Sequence, residues 1–137
     1  MSDCIFCRIA NHQLPAYKIY EDDHFLAFLD IYPLCDGHTL IIPKKHFRWV
    51  WQVEPADQYW QVIRRIAQHY QQVTGQEFIP SMTLGEEVPH AHYHLLPTPE
   101  QLTDWWQALK QMRPQAQLSD QTAQQLVRKF QLPDQPR

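Results

Sequence analysis

Histidine alternates with apolar residues through segment 90–96, where it occupies positions His90, His92 and His94. Side chains along a β-strand have a period of two, so the three imidazoles are predicted to share one face. The apolar residues between them would then face the core. Neighbouring side chains on one face lie ~7 Å apart, close enough to act on one substrate or to share a metal ion. The pattern therefore predicts a strand that carries a functional site.

The residues alone leave three interpretations of this strand open. The histidines could be surface residues without a role, although three in strict register are not typical of chance. Pairs of histidines two apart on a strand can also chelate the zinc ion of a hydrolase. Finally, a neutral imidazole attacks phosphorus well and leaves readily once protonated, which would make one histidine a nucleophile.

Composition excludes several classes of protein. The chain has 137 residues, of which 44% are hydrophobic and 20% charged, enough for one domain with a hydrophobic core. It lacks the ~20 consecutive apolar residues of a membrane span. A net charge of -3 makes polymeric nucleic acid a poor partner. The acidic start, broken by Cys4 and Cys7, is unlike a signal peptide, so we expect a cytoplasmic protein.

Strands are predicted before helices along the chain. Apolar runs, turn residues and prolines predict strands at 18–21, 25–29, 38–42, 78–84 and 90–96. A helix is predicted to begin near Pro55, to run through Val73 and to be capped by Gly75. This order favours an α+β fold with an antiparallel sheet of about five strands and one main helix.

A glutamine-rich extension follows residue 97 and is predicted to be helical. Its helices are expected at about 102–112 and, behind the N-cap Ser119, at about 119–130, with Arg113 and Pro114 between them. We expect these helices to pack on the sheet or on a dimer partner. The whole chain, 1–137, would form a single domain with its core at about 3–97 and its extension at about 98–137.

Segment 90–96 matches the signature of the histidine triad (HIT) superfamily of nucleotide hydrolases and transferases. Segments 4–9, 21–23, 27–33 and 37–46 also resemble this family's opening and central blocks, in the right order. The resemblance covers about residues 3–97. It implies a HIT-like fold, a purine nucleotide substrate and a homodimer.

The resemblance also implies a role for individual residues. His92 would attack the α-phosphate and form a covalent nucleotidyl-histidine. His94 would hold the other ring nitrogen of His92 in register or tune its basicity, and His38 would support the triad. Asp30 would bind the ribose hydroxyls, although a turn-forming aspartate after a strand is an equally good interpretation of that residue. The base pocket would be lined by Phe6, Ile9, Phe28, Leu29 and Ile31.

The cysteine pair Cys4 and Cys7 is ambiguous on its own, because such a pair can be a redox site, half a zinc site or two buried thiols. In zinc-containing members of the resembled family, two histidines complete the ligand set, and here these are His46 and His90. The resemblance thus implies a closed, tetrahedral structural zinc site with no open position for water.

The loop before the triad departs from the family pattern near the position of the leaving group. Glu86 and Glu87 stand where relatives place neutral hydrogen-bond donors, and carboxylates repel a polyphosphate. Their loop should therefore turn away from the phosphate or serve a cationic leaving group.

Segment 96–98 assigns no subfamily, so a nucleoside phosphoramidase and a dinucleoside polyphosphate hydrolase both remain open. A nucleotide-binding scaffold with little turnover and a zinc hydrolase that uses the triad as ligands are the rival functions.

Overall fold

Five strands form one antiparallel sheet in the computed structural model, which describes residues 3–110 and 116–135. The order of the strands across the sheet is β1-β2-β3-β5-β4. The strands span Lys18–Glu21 (β1), Phe25–Leu29 (β2), Thr39–Pro43 (β3), Ser81–Met82 (β4) and Tyr93–Leu95 (β5). The predicted α+β architecture is confirmed.

The last two strands are shorter than predicted, because backbone groups at their ends bond to loops. The amide of His90 donates to the carbonyl of Val88, and the amide of Ala91 donates to the carbonyl of Phe47, 2.7 Å away. Neither amide is then available to the ladder between β3 and β5. His90 and His92 therefore precede β5, and only His94 lies within it.

The main helix, α2, agrees with its prediction. It spans Ala56–Thr74, follows the N-cap residue Pro55 and ends at Gly75, which has a left-handed φ of 70°. Such a φ favours glycine, because a Cβ atom would be strained there. The buried side chains of α2 recur at helical spacing: Tyr59, Val62, Ile63, Ile66 and Tyr70.

The two faces of the sheet pack against different helices. On β2, Ala27 and Leu29 belong to the main core beneath α2, whereas Leu26 and Phe28 belong to a second cluster on the other face. A short helix that the sequence did not predict, α1 at Ile5–Ala10, contributes Phe6, Cys7 and Ala10 to this second cluster. The face that carries the histidines is therefore covered as well.

The C-terminal extension contains α3 at Trp105–Lys110 and α4 at Asp120–Phe130. Ser119 caps α4 as predicted, since its side chain accepts from the amide of Thr122 at 3.2 Å. Ala123, Leu126 and Phe130 of α4 are buried in the main core, so the expected packing on the sheet is confirmed for this helix. Helix α3 begins later than predicted, at Trp105 rather than at about 102. Its predicted end and the Arg113-Pro114 break lie outside the described residues. None of the described helices is long and apolar enough to span a bilayer.

Helix α4 also contacts the loop that leads to His38. A Cβ atom on Gly37 would lie 2.6 Å from the ring of Phe130 and 2.6 Å from Pro97, at a φ of +84°. We expect Gly37→Ala to lower the free energy of unfolding by about 2–5 kcal/mol, because strain and overpacking add. Urea denaturation measures this loss.

The matched control for this substitution is Gly75→Ala. Gly75 has a similar φ, +70°, but no atom lies within 4 Å of its Cβ position. This variant should therefore lose only about 1 kcal/mol, the cost of the backbone conformation. Equal losses in the two variants would show that α4 does not press on Gly37.

Candidate active site and metal cluster

Four side chains that can bind a metal meet where α1 approaches the strand that carries the histidines. The ligand atoms of Cys4, Cys7, His46 and His90 all lie within 4.8 Å of one another. The Nδ1 atom of His90 is 3.3 Å from the sulfur of Cys4 and 3.4 Å from that of Cys7. The Nδ1 atom of His46 is 3.2 Å from the sulfur of Cys7. The structure thus brings together all four predicted zinc ligands.

The donor chemistry of this cluster fits zinc. In a tetrahedral zinc site the sulfur and nitrogen ligands stand about 3.6 Å apart, close to the separations observed here. The Nε2 atom of His90 donates a hydrogen bond to the carbonyl of Pro43 at 2.8 Å. Because a carbonyl only accepts, the proton of neutral His90 lies on Nε2 and its Nδ1 lone pair faces the two sulfurs.

His92 is oriented by a backbone carbonyl. Its Nδ1 atom donates to the carbonyl of His90 at 2.7 Å, so neutral His92 carries its proton on Nδ1 and a lone pair on Nε2. The ring is 7% exposed and packs edge-on against Phe6, with 5.2 Å between the ring centroids. The Nε2 atom of His92 therefore has the electron pair that a nucleophile needs, in a fixed direction.

His38 and His94 form a separate hydrogen-bonded pair. The amide of Leu34 donates to Nδ1 of His38 at 3.1 Å, which leaves the His38 proton on Nε2. That Nε2 atom lies 2.8 Å from Nδ1 of His94 and donates to it. The proton of neutral His94 is consequently on its own Nε2. One backbone amide and one shared hydrogen bond thus fix the tautomers of these two rings.

This arrangement corrects one role that the resemblance implied for His94. The other ring nitrogen of His92 is held in register by the carbonyl of His90, not by His94. The reason is the turn before β5, which places the carbonyl of His90 within reach of the His92 ring. The rings of His92 and His94 remain neighbours, with centroids 5.1 Å apart.

Burial keeps these imidazoles neutral. It lowers the pKa of His38 to about 3, with a contribution from the charge of His92, and it lowers the pKa of His94 to about 2. Burial also lowers the pKa of His92, the charge of Arg48 acting in the same direction. At neutral pH the site therefore presents lone pairs and N–H donors rather than cations.

Asp30 combines the two interpretations that its sequence position allowed. One carboxylate oxygen, Oδ1, accepts from the amide of Tyr32 at 2.9 Å, as in a turn-forming aspartate. The other, Oδ2, lies 3.7 Å from Nε2 of His38, and the side chain is 20% exposed. Burial raises the pKa of Asp30 to about 6, the Tyr32 amide opposing this rise and the charge of Glu87 adding to it. The carboxylate thus reaches both the triad and solvent.

The predicted base-pocket residues separate into two groups. Phe6, Ile9 and Phe28 lie together in the cluster under α1, where the rings of Phe6 and Phe28 are 5.5 Å apart. Ile31 is 39% exposed on the loop after β2. Leu29 is different: it points into the main core under α2, because it follows Phe28 on the strand and must face the opposite side. Leu29 is therefore removed from the pocket.

The acidic loop is open to solvent. Both Glu86 and Glu87 are exposed, as expected of a loop that keeps its carboxylates in water. The charge of Glu87 nevertheless raises the pKa of Asp30. Together with Arg48, Glu87 also lines a cavity of about 630 Å³ beside the cysteine–histidine cluster. Arg48 carried no signal in the sequence, since it belongs to no periodic pattern.

The fold and the site together define a small α+β domain. An inner strand and the turn before it carry three histidines, one of which, His90, also belongs to the Cys₂His₂ cluster. The HIT domain family matches residues 11–101, which is more than half of the chain. The chain belongs to the HIT domain family.

Curated relatives extend this similarity. An uncharacterized HIT-like protein of Borreliella burgdorferi is 39% identical over 71% of this chain and 76% of its own length. Adenylylsulfatase HINT3 of Arabidopsis thaliana is 32% identical over 92% of this chain and 66% of its own length. Adenosine 5'-monophosphoramidase HNT1 of Saccharomyces cerevisiae is 34% identical over 69% of this chain and 61% of its own length.

Solved structures agree with the fold. A hypothetical histidine triad nucleotide-binding protein from Sulfolobus tokodaii superimposes with a TM-score of 0.75 at 27% identity, covering 93% of this chain and 89% of that one. A Zn-bound histidine triad family protein from Mycobacterium smegmatis superimposes with a TM-score of 0.65 at 22% identity, covering 94% of each chain.

Proposed function

We propose that this protein is a histidine triad nucleotide hydrolase or nucleotidyl transferase that acts through a covalent nucleotide on His92. The observation that carries the proposal is the hydrogen bond from Nδ1 of His92 to the carbonyl of His90, which leaves Nε2 unprotonated. Membership of the HIT domain family and the named activities of HINT3 and HNT1 support it.

In the proposed reaction, Nε2 of His92 attacks the α-phosphorus of the nucleotide. A phosphorus–nitrogen bond forms, the bond to the leaving group breaks, and the leaving group departs with its electron pair and takes up a proton. Water then attacks the same phosphorus, which releases nucleoside monophosphate and a proton and restores neutral His92. The Nε2 proton of neutral His94, a tautomer that the bond from His38 fixes, would donate to a phosphoryl oxygen.

The substrate remains a choice between two classes, a nucleoside phosphoramidate and a dinucleoside polyphosphate. In either class Asp30 would accept hydrogen bonds from the ribose hydroxyls, and Phe6, Ile9 and Phe28, with Ile31 at the rim, would contact a purine base. The exposed carboxylates of Glu86 and Glu87 do not exclude a polyphosphate, because water screens them.

The experiment that tests this function is single-turnover trapping. Protein is mixed with a nucleoside phosphoramidate labelled at the α-phosphate, quenched, digested and analysed by mass spectrometry. We expect label on the peptide that contains His92. A nucleotide-binding scaffold would bind the substrate without acquiring label, and a zinc hydrolase would turn it over without a covalent intermediate.

The zinc hydrolase is the weaker rival, because the triad rings are engaged elsewhere. His92 belongs to neither cluster of potential metal ligands in the described part of the chain. The second cluster, Asp30 with His38 and His94, does not suit a cation, since Nε2 of neutral His38 carries a proton. We propose instead that Cys4, Cys7, His46 and His90 hold a structural zinc ion, which would tie the N-terminal segment to the turn that carries His90.

Binding of the ribose should depend on the protonation of Asp30. We expect the affinity for adenosine, which carries no phosphate, to rise by up to about tenfold as the pH increases from about 5 to about 7. The sign follows from the raised pKa of about 6: below it the carboxyl is protonated, and above it both ribose hydroxyls can donate to a carboxylate. Isothermal titration calorimetry across this range measures the change.

Two variants separate Asp30 from its charged neighbours. Asp30→Asn should remove the pH dependence, and Glu87→Gln should move its midpoint to lower pH, because the charge of Glu87 raises the pKa of Asp30. His38 does not change its charge in this range, since its pKa is about 3. An unchanged pH profile in Asp30→Asn would assign the effect to another group.

We also propose that the protein is a homodimer that pairs along the β4 edge of the sheet. Strand β4 is outermost and bonds to β5 on one side only. On neighbouring α2, Trp60 is 50% exposed and contacts Tyr93 of β5, with 5.3 Å between the ring centroids. An open strand edge beside an exposed aromatic side chain is typical of a surface that a second copy covers.

A further inference from the structure

A stacked aromatic pair lies on the turn that follows the metal ligand His46. The indole rings of Trp49 and Trp51 are nearly parallel, with an angle of 6° between their planes and 5.1 Å between their centroids. Trp51 is 70% exposed. Trp51 is therefore largely in contact with solvent while its ring stacks on Trp49. Neither of the two hydrophobic clusters of the protein requires this arrangement.

The pair is built on a fixed segment. Residues Val50–Gln52 form a 3-10 turn, and Val50 is buried in the main core. The amide of Trp49 donates to the side chain of Gln52 at 3.2 Å. The orientation of the two rings is thus determined before any ligand arrives, which lowers the entropic cost of stacking on them.

A cation adjoins the pair. The guanidinium carbon of Arg48 lies 3.8 Å from the ring centre of Trp49. Its Nη1 atom is buried, has no hydrogen-bond partner among the described residues, and lies 3.5 Å from the Cβ position of Gly85. Arg48 therefore has no ion-pair partner within 4 Å among residues 3–110 and 116–135, and it lies against the loop that leads into the triad.

The segment that carries the aromatic pair is also connected to the proposed nucleophile, His92, by a backbone hydrogen bond. The amide of Ala91 donates to the carbonyl of Phe47 at 2.7 Å, so Arg48 and His92 each stand one residue beyond a shared hydrogen bond. Trp49 packs against Gly85, and a Cβ atom added to this glycine would lie 2.8 Å from the indole ring. The aromatic pair thus adjoins the acidic loop, which the resemblance to HIT proteins implies to lie near the leaving group.

We propose that Arg48, Trp49 and Trp51 form a subsite for the leaving half of a dinucleoside polyphosphate, whose second base stacks on Trp51. This inference rests on the proposed function, because it assumes that the first nucleotide meets His92. Stacking suits any base and contributes a factor of about 5–150 in affinity, while the guanidinium attracts the phosphates that lead to the base. The phosphoramidate class offers no base to this surface.

The test compares two ligands that carry the same charge. Both are adenosine tetraphosphates with methylene groups in the first and the last phosphate bridge, so that His92 can cleave neither end; one ends in a second adenosine and the other in a methyl group. Calorimetry with the zinc-loaded protein should show that the second adenosine tightens binding at least about fivefold. Trp51→Ala should reduce this difference to about twofold, the statistical factor of a ligand with two equivalent ends, and leave the affinity for the methyl-capped ligand unchanged.

Phe78→Ala is the matched control, because Phe78 is also a largely exposed aromatic residue, at 62%, and lies outside the proposed subsite. It should change neither affinity. The proposal is overturned if Trp51→Ala weakens both ligands equally or neither, or if it alters the sedimentation of the protein, which would make Trp51 part of an interface between copies. If the cleavable dinucleotide is not hydrolysed although the second base still tightens binding, the proposed function fails and the subsite stands.

Discussion

Replacing His92 by alanine is expected to lower the rate constant of nucleotide hydrolysis by more than about 1000-fold, with nucleotide affinity kept within about tenfold. The rate falls because the variant lacks the lone pair of Nε2, the atom that the hydrogen bond to the His90 carbonyl leaves unprotonated. Affinity persists because Asp30 and Phe28 remain in place. Single-turnover kinetics and calorimetry measure the two quantities separately.

His24→Ala is a suitable control for this experiment. His24 is exposed in the turn between β1 and β2, and its backbone carbonyl, which accepts from the amide of Lys44, is unaffected by the substitution. This variant should keep the wild-type rate constant. Nucleophilic catalysis by His92 would be wrong if the alanine variant retained more than about a tenth of the wild-type rate constant.

The parts of the fold that the sequence predicted have strong local signals. The hairpin of β1 and β2 has apolar runs on both sides of Asp22, whose Oδ1 atom accepts from the amides of His24 and Phe25. Helix α2 has five buried side chains at helical spacing and a glycine at its end. In both cases neighbours in sequence supply the stabilising contacts, so the pattern is sufficient.

Helix α1 was missed because its signals are unusual. It has only six residues, and its N-cap is Cys4, whose sulfur accepts from the amide of Cys7 at 3.4 Å. Cysteine is not among the residues that typically cap helices. The cysteine pair predicts a redox site, half a zinc site or two buried thiols, and none of these interpretations includes the helical turn that the same spacing allows.

Within the site, the sequence predicted which residues meet but not how their protons are arranged. The period of two places His92 and His94 on one face, yet the tautomers depend on the carbonyl of His90 and the amide of Leu34. Those groups are positioned by turns. Leu29 is a different case. The period of two places it on the opposite face of β2 from Phe28, so the two residues that the resemblance assigns to one pocket cannot share it.

The aromatic pair of Trp49 and Trp51 had no signal in the pattern. Trp49 and Trp51 are two residues apart, a spacing that by itself indicates a strand rather than a stacked pair on a turn, and Arg48 differs little in sequence from any surface arginine. Only the turn at Val50–Gln52 brings the rings parallel. A surface of this kind is defined by tertiary structure, which is why sequence reasoning gave no indication of it.

Loss of the two cysteines is expected to have the largest effect on stability. We expect the wild-type protein to contain one zinc ion per chain and Cys4→Ser with Cys7→Ser to contain none. Structural zinc contributes about 10–16 kcal/mol to the folding of isolated zinc-finger peptides, and losing even about 3 kcal/mol would lower the Tm of a chain of this length by about 10 °C. Elemental analysis and thermal denaturation measure the two effects.

The same variant should also lose activity, because the cluster connects α1 to the segment that carries the proposed nucleophile, His92. Phe6 of α1 packs on His92, and His90 supplies both a metal ligand and the carbonyl that orients the His92 ring. Cys35→Ser is the matched control: Cys35 is a buried free thiol outside the cluster, so this variant should keep its zinc. Wild-type protein purified without chelators and found free of zinc would remove the metal from this account, and α1 would then be held by the packing of its apolar side chains in the second cluster.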